Sequence, residues 1–455
     1  MIILSIAVLC ITAIWGNLLP FSKRSAQAAV PVTRQVNVPY FGNNAVPFDQ
    51  TAIFWFGDVS SADTYTDVRV GYNTSELFID LHTVDRYLWY DTNTSAPNLS
   101  KDDNASVYLN TTSAATGDSF RFQTGVNGYV KRTNYQQAYT GNGTTWTPVT
   151  LPFTAVYSWQ GHGFNGPEDS GWSMTYHIPF SSLGFSGPPS KGTAWKLAVQ
   201  VENQDSGTTT TLPEKWWPET ANAMTPASGW GQLVFGIPVY QPPSTTSTSP
   251  PFTIRNKLNN QVVTDGMVGG SLSCGMRGLN RWTQWGTQSY PGATRVNLQN
   301  ETFISDWNCF SKFYVTFPIS SLPTGQKVVN AQVTLFEYGN AGPQGQPNPS
   351  YIQVATIGED WNPATLSWNN APMVQENIST ILVNTKTKSV VHLPGLAITW
   401  DVSIAVAQAY AAGQPVRLVF YTPADQHNSG KYFFSSTIGD WNAAGRPTLQ
   451  VTLGV

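Results

Sequence analysis

The chain has 455 residues, of which 13% are aromatic, including 17 Trp, and only 11% are charged, for a formal net charge of −3. Charge this sparse, beside 38 Gly and 31 Pro, argues against a long-helix protein, a coiled coil or a charged disordered chain. Without a basic surplus there is no electrostatic footprint for nucleic acid, and the composition fits a β-rich extracellular protein.

Residues 1–29 open on an apolar run from Ile2 to Ile14, short for a membrane span of about 20 residues, and end in Ala26-Gln27-Ala28-Ala29. Small residues at that spacing predict a secretory signal peptide cleaved near Ala28 or Ala29. Because Lys23 and Arg24 follow the apolar run instead of preceding it, a retained N-terminal anchor is the alternative. No later segment is long and apolar enough for a span, so the mature protein is expected off the membrane, extracellular and monomeric.

From residue 30 to 237, short stretches alternate apolar and polar residues with a period of two. Asp67–Tyr72 and Glu76–His82 flank Asn73-Thr74-Ser75, the chemistry of a hairpin turn. Further strands are predicted at Ala105–Leu109, Ser119–Gln123, Trp172–Ile178, Trp195–Val201 and Gln232–Phe235. The segment 238–252 is rich in Pro, Ser and Thr and predicts a linker. From 253 to 455 the strand pattern resumes, at Phe313–Phe317, Val328–Tyr338, Tyr351–Thr356, Ile398–Val402, Val416–Tyr421, Tyr432–Ser435 and Thr448–Leu453. One helix is predicted over Ser403–Gly413, with Asp401 or Ser403 as cap and Gly413 as stop. The whole reads as all-β, with two sandwich domains joined by a linker. Signal cleavage would leave two cysteines, Cys274 and Cys309, whose simplest state in an oxidising compartment is one disulfide.

No nucleophile elbow, zinc-protease, P-loop or dinucleotide fingerprint occurs. The carboxylates fall mostly in polar loops, so an unrecognised glycoside hydrolase or lyase site is the only enzymatic reading left. A sugar site instead needs an aromatic face with hydrogen-bonding groups at its rim. The candidates are Trp89, Tyr90, Trp146, Trp159, Trp216 and Trp217, with Glu219 as a polar partner. Adjacent strand residues point to opposite faces, so at least one of Trp216 and Trp217 should be exposed. Asp85, Asp102 and Asp103 could supply oxygen ligands to calcium; solvated turn residues are the competing reading.

The first half resembles family 9 carbohydrate-binding modules and their DOMON-like relatives. The residues that carry this are Val68–Asp85, Lys101–Asn110, Trp172–Gly184 with its IPFSSLG, Gly192–Asn203, and the Trp216-Trp217-Pro218 stretch followed by Gly229–Gly236. The second half resembles the DNRLRE domain, grouped with family 96 carbohydrate-binding modules, through Ser311–Tyr338, Glu359–Pro372, Trp400–Gln414 and Phe433–Leu453. These resemblances imply jelly-roll-like sandwiches, sugar held between aromatic side chains, and calcium alongside in the first half. Ala105 and Ser106 stand where the first family usually carries charge. In the second half, Trp361, Trp368, Trp400 and Trp441 are expected in the core. The expected protein is a secreted, non-catalytic polysaccharide binder whose C-terminal domain aids glycan or cell-surface attachment. A structural or adhesive surface protein is the rival.

Overall fold

Period-two alternation becomes strands throughout the structure, a computed structural model. It describes residues 33–455 apart from 93–97, 113–118, 127–134, 162, 167, 207–211, 224–228, 271–278, 302–308, 344 and 387–391. The signal peptide and the Cys274–Cys309 pairing lie outside the described residues. The N-terminal half contains β1 (Gln35–Val38), β2 (Ala52–Ser60), β3 (Asp63–Tyr72), β4 (Glu76–Val84), β5 (Asn104–Asn110), β6 (Ser119–Gly125), β7 (Gln136–Gly141), β8 (Trp146–Val149), β9 (Thr154–Gly161), β10 (Asp169–Pro179), β11 (Ala194–Glu202), β12 (Lys215–Trp217) and β13 (Gly231–Phe235).

The expected hairpin is β3–β4. Asn73 shapes its turn by accepting at Oδ1 from the backbone N–H groups of Ser75 and Glu76, at 2.8 and 3.0 Å, the local bonding that suits Asn to turns. One antiparallel sheet runs β2-β3-β4-β10-β9. The second runs β8-β7-β6-β5-β11, and β11 then pairs with both β12 and β13, while β1 lies parallel to β13. The two sheets close over a core that includes Phe54, Val68, Leu81, Val107, Phe122 and Leu197.

The C-terminal half contains β14 (Phe252–Arg255), β15 (Thr264–Val268), β16 (Arg295–Glu301), β17 (Cys309–Phe317), β18 (Lys327–Asn340), β19 (Ser350–Ile357), β20 (Val374–Val383), β21 (Leu396–Asp401), β22 (Val416–Tyr421), β23 (Lys431–Phe434) and β24 (Thr448–Gly454). One sheet is β15-β17-β22-β19-β20. The other is built on β18, which pairs with β21, β23 and β24, with β14 beyond β24 and β16 beyond β23. Phe313, Phe420 and Ile352 from the first meet Val333, Trp400 and Leu449 from the second in a separate core. The predicted helix is α1 (Ser403–Ala412). Asp401 Oδ1 accepts from the Ser403 N–H at 2.8 Å, and Gly413 closes the helix at φ +63°, a conformation glycine adopts without steric cost.

From Thr33 to Val455 the chain is one compact unit, because the second face of β2 and β3 is also covered. Asp67 and Arg69, the polar positions of the β3 alternation, are only 1% and 0% exposed: the C-terminal half packs on them. Trp55 meets Tyr421 edge-on at 5.4 Å, and Tyr65 meets Trp368 at 4.9 Å. Gln353 bonds both backbone groups of Ile53, and Asn369 both of Val59. Buried polar groups need such partners, and here the partners come from the opposite half. A strand buried on both faces carries the near-continuous apolar run seen in Ala52–Phe56.

The Pro-, Ser- and Thr-rich segment runs along the C-terminal half. Tyr240 Oη donates to the Val328 carbonyl at 2.6 Å, the Thr246 N–H to Val455 at 2.6 Å, and the Ser249 N–H to Leu453 at 2.8 Å. Trp368 and Trp400 are core residues as expected and Trp361 is half-buried, but Trp441 is 63% exposed. It sits in a 3-10 turn, Asp440–Gly445, outside the strands.

Candidate functional site

The outer face of the β5–β6–β7–β11–β12 sheet gathers polar and aromatic side chains from five strands. In β5, Ala105, Val107 and Leu109 face the core, which turns Ser106 and Tyr108 outward. Strand register places Arg121 and Ala198 on either side of Tyr108, and Tyr139 beyond Arg121. The neighbouring row is Gln123, Ser106, Gln200 and Trp216.

Tyr108 is the floor of an aromatic box. Its ring centroid is 5.2 Å from Trp216, 5.4 Å from Trp230 and 5.5 Å from Trp146. Trp146 reaches across its partner strand only because Gly141 lies opposite; a Cβ there would stand 2.7 Å from the indole. Every indole N–H in the box is occupied: Trp146 donates to the Ala223 carbonyl, Trp230 to that of Asn222, and Trp216 to Glu214. The ring planes are therefore fixed, and Trp146 and Trp216 remain half-exposed.

The polar side of the face is equally organised. Arg121 lies 5.4 Å over Tyr108 and 5.2 Å over Tyr139, within cation–π range, and its Nε donates to Ser106 Oγ at 3.2 Å. Glu202 accepts from Gln200 Nε2 and Asn104 Nδ2, at 2.9 and 3.0 Å, and sits 3.8 Å from Arg121. Burial pushes the Glu202 carboxyl up, against the Asn104 hydrogen bond and the Arg121 charge. Tyr108 Oη donates to Gln200 Oε1 at 2.5 Å. Fixed aromatic planes beside a guanidinium donor and carboxylate acceptors can grip a ligand that has both C–H faces and hydroxyl edges.

Of the predicted site residues, Trp146 and Trp216 belong to this face. Trp217 does not: strand alternation sends it into the core, 1% exposed, stacked on Phe54 at 4.0 Å. The missing side chain of Gly231 makes room for it. Glu219 is exposed but ion-paired with Arg34 at 2.6 Å. Tyr90 is buried against Phe164, ring centroids 5.5 Å apart, and Trp159 is half-buried against the same ring at 4.9 Å. That cluster closes the sandwich end. Trp89 is half-buried beside it.

Asp85, Asp102 and Asp103 are all buried rather than solvated, 1%, 0% and 0% exposed. Asp103 accepts from the Trp89 and Gln204 N–H groups, each at 2.6 Å, and Asp85 from Trp172 Nε1 at 3.1 Å. Burial, then the charge of Asp205, pushes the Asp85 carboxyl up to about 8; burial, then Asp85, pushes Asp103 well above the usual range. Mutual repulsion of this kind is what a divalent cation relieves. Asp102 turns elsewhere and takes the Asp91 N–H at 2.6 Å. Among the described residues no group of three or more Asp, Glu, His or Cys side chains closes on one point that could hold a metal. None of their helices is long and apolar enough to cross a membrane, which says nothing of a β-barrel.

No curated protein matches the chain. Solved structures similar to it include a candidate carbohydrate-binding protein from Bacteroides uniformis, 14% identical, TM-score 0.35, covering 45% of this chain and 99% of that one. A family 9 carbohydrate-binding module from Caldicellulosiruptor kristjanssonii, in complexes with cellotriose and with glucose, is also 14% identical, TM-score 0.30, covering 46% of this chain and all of that one. Residues 283–452 match the model of carbohydrate-binding module family 96.

Proposed function

We propose that the protein is a secreted, extracellular carbohydrate-binding protein without catalytic activity, and that it holds polysaccharide on the outer face built around Tyr108. The observation that carries this reading is the set of half-exposed, orientation-locked indoles of Trp146 and Trp216 beside Arg121 and Glu202. Aromatic planes bury the apolar side of a pyranose, and the charged groups take its hydroxyls. The family match of the C-terminal half supports a glycan role there, and that half aids attachment to glycan or cell surface. Calcium enters this reading at Asp85 and Asp103, where it would neutralise buried negative charge.

Glu219 is not poised as a general acid. Glu219 and Glu359 both bond Arg34, at 2.6 and 2.8 Å. Burial tends to raise the Glu219 carboxyl, but the hydrogen bond and charge of Arg34 more than offset this and hold it below its usual range. A general acid needs the opposite shift.

The test is retention of the protein on a panel of insoluble polysaccharides, with soluble oligosaccharide as competitor. Retention that competitor reverses is expected; no retention on any glycan favours the adhesive alternative, and release of reducing sugar favours an enzyme. Calcium is tested separately by thermal melting. Millimolar calcium should raise Tm by several degrees and chelator should reverse it, since a ligand bound only by the folded state stabilises it. An unchanged Tm removes calcium from the account.

A further inference from the structure

A cavity borders the proposed binding face, and it is formed by both halves of the chain. It is a cleft of about 440 Å³, within the size range of ligand sites. Its N-terminal wall includes Arg34, Glu214, Trp216 and Glu219; its C-terminal wall includes Glu359 and the segment Asn369–Met373. Trp216 is common to the cleft and to the aromatic box around Tyr108. It forms the ridge between them.

The walls are fixed relative to each other. Arg34, 3% exposed, bridges Glu219 of one half and Glu359 of the other, and its Nη1 donates to the Met373 and Val374 carbonyls at 3.1 and 3.3 Å. The two carboxylates are 46% and 43% exposed. Their side chains are partly open to solvent and tied to a buried guanidinium, and Glu359 Oε2 is itself buried in the wall without a hydrogen-bond partner. Of the cationic groups in the cleft, Arg34 is consumed by this bridge and Lys215 by Asp63 at 2.6 Å. The Asn369 and Asn370 amides are bonded to backbone, so the groups left for a ligand are carboxylate acceptors with Trp216 as an apolar wall, and the acidic surplus opposes a polyanion.

We propose that this cleft is a second subsite for a neutral saccharide chain, continuous with the outer face across Trp216, so that both halves grip one polymer as a single composite site. This rests on the outer face being a saccharide site. It makes a prediction the outer face alone does not: affinity should grow with chain length beyond what the Tyr108 box can hold, and the gain should depend on the C-terminal wall.

The test is calorimetric titration of the full chain with disaccharides and hexasaccharides of β-1,4-linked glucose, xylose and mannose, with oligogalacturonate as polyanionic control. At least one neutral hexasaccharide should bind about tenfold or more tighter than its disaccharide, and oligogalacturonate should show no such gain. Ala371→Arg, which fills the cleft from a half-exposed position on its C-terminal wall, should remove the length gain. Glu359→Gln, which keeps shape and removes charge, should reduce it, and guards against misfolding of the bulkier variant. Equal length gain in wild type and both folded variants would overturn the cleft and leave the outer-face reading standing. Failure of wild type to bind any probe of either length would overturn both.

Discussion

Lys312→Ala should lower the stability of the protein by about 3–5 kcal/mol, read as a fall in the urea midpoint. Lys312 is 1% exposed, and its Nζ lies 3.7 Å from the ring centroid of Trp368, 3.9 Å from Trp55, 4.6 Å from Tyr65 and 4.9 Å from Tyr421. It donates to Tyr65 Oη at 2.7 Å, and Tyr65 donates in turn to Asp67 at 2.5 Å. Asp67 also accepts from Asn300 and Tyr421, each at 3.0 Å. Burial drives the Lys312 pKa well below the usual range, and Asp67 opposes that shift; four aromatic faces favour the cation as well. Alanine would leave a void among the rings and take from Tyr65 Oη its buried donor, two costly changes in a core. Lys312→Met separates the two effects. It restores volume with a soft thioether suited to aromatic contacts, so it should cost clearly less than alanine. A loss within 1 kcal/mol for Lys312→Ala would show that the cage does not hold the halves together.

Arg34→Ala is the second large effect, expected at about 3 kcal/mol. The side chain satisfies two carboxylates and two backbone carbonyls across the junction. Its removal leaves the carbonyls without their donor and the glutamates facing one another. The half-exposure of both glutamates screens part of that repulsion and limits the loss. Arg34→Lys should recover only part of it, because one ammonium cannot reproduce a planar guanidinium bonded on two edges. Full stability in the lysine variant would contradict this account of the joint.

Strand positions were legible in the sequence because they rest on alternation and turn chemistry. Both are local signals: Asn73 makes its turn with its own neighbours, and Gly413 ends α1 by its own conformation. What covers a strand's polar face is not local. Asp67 and Arg69 have the pattern of a solvent-facing edge, and their partners, Tyr421, Asn300 and Pro423, lie more than 200 positions away. The buried Lys312 gave no sequence signal for the same reason. At Trp216-Trp217, period two required opposite faces but left open which residue was outside; the Phe54 contact decides it. The rest of the site was missed because Tyr108, Arg121, Gln200 and Glu202 occupy the outward positions of strands otherwise marked by their apolar residues. One signal was available: long polar and aromatic side chains at alternate positions of three neighbouring strands, where short solvated residues would suffice. Trp441 was misjudged because the recurrent motif around it says nothing of layer coverage.

The central claim is that saccharide sits on the face built around Tyr108. Calorimetric titration of the best-retained saccharide into wild type, Trp216→Ala and Trp441→Ala tests it most directly. Trp216 is half-buried in the aromatic box, and loss of such an anchor should weaken binding by about 30-fold or more, on the order of 2 kcal/mol. Trp441, exposed in the C-terminal half and outside both the box and the cleft lining, should be replaceable without effect. Undiminished affinity in a folded Trp216→Ala, or a loss confined to Trp441→Ala, would contradict the account.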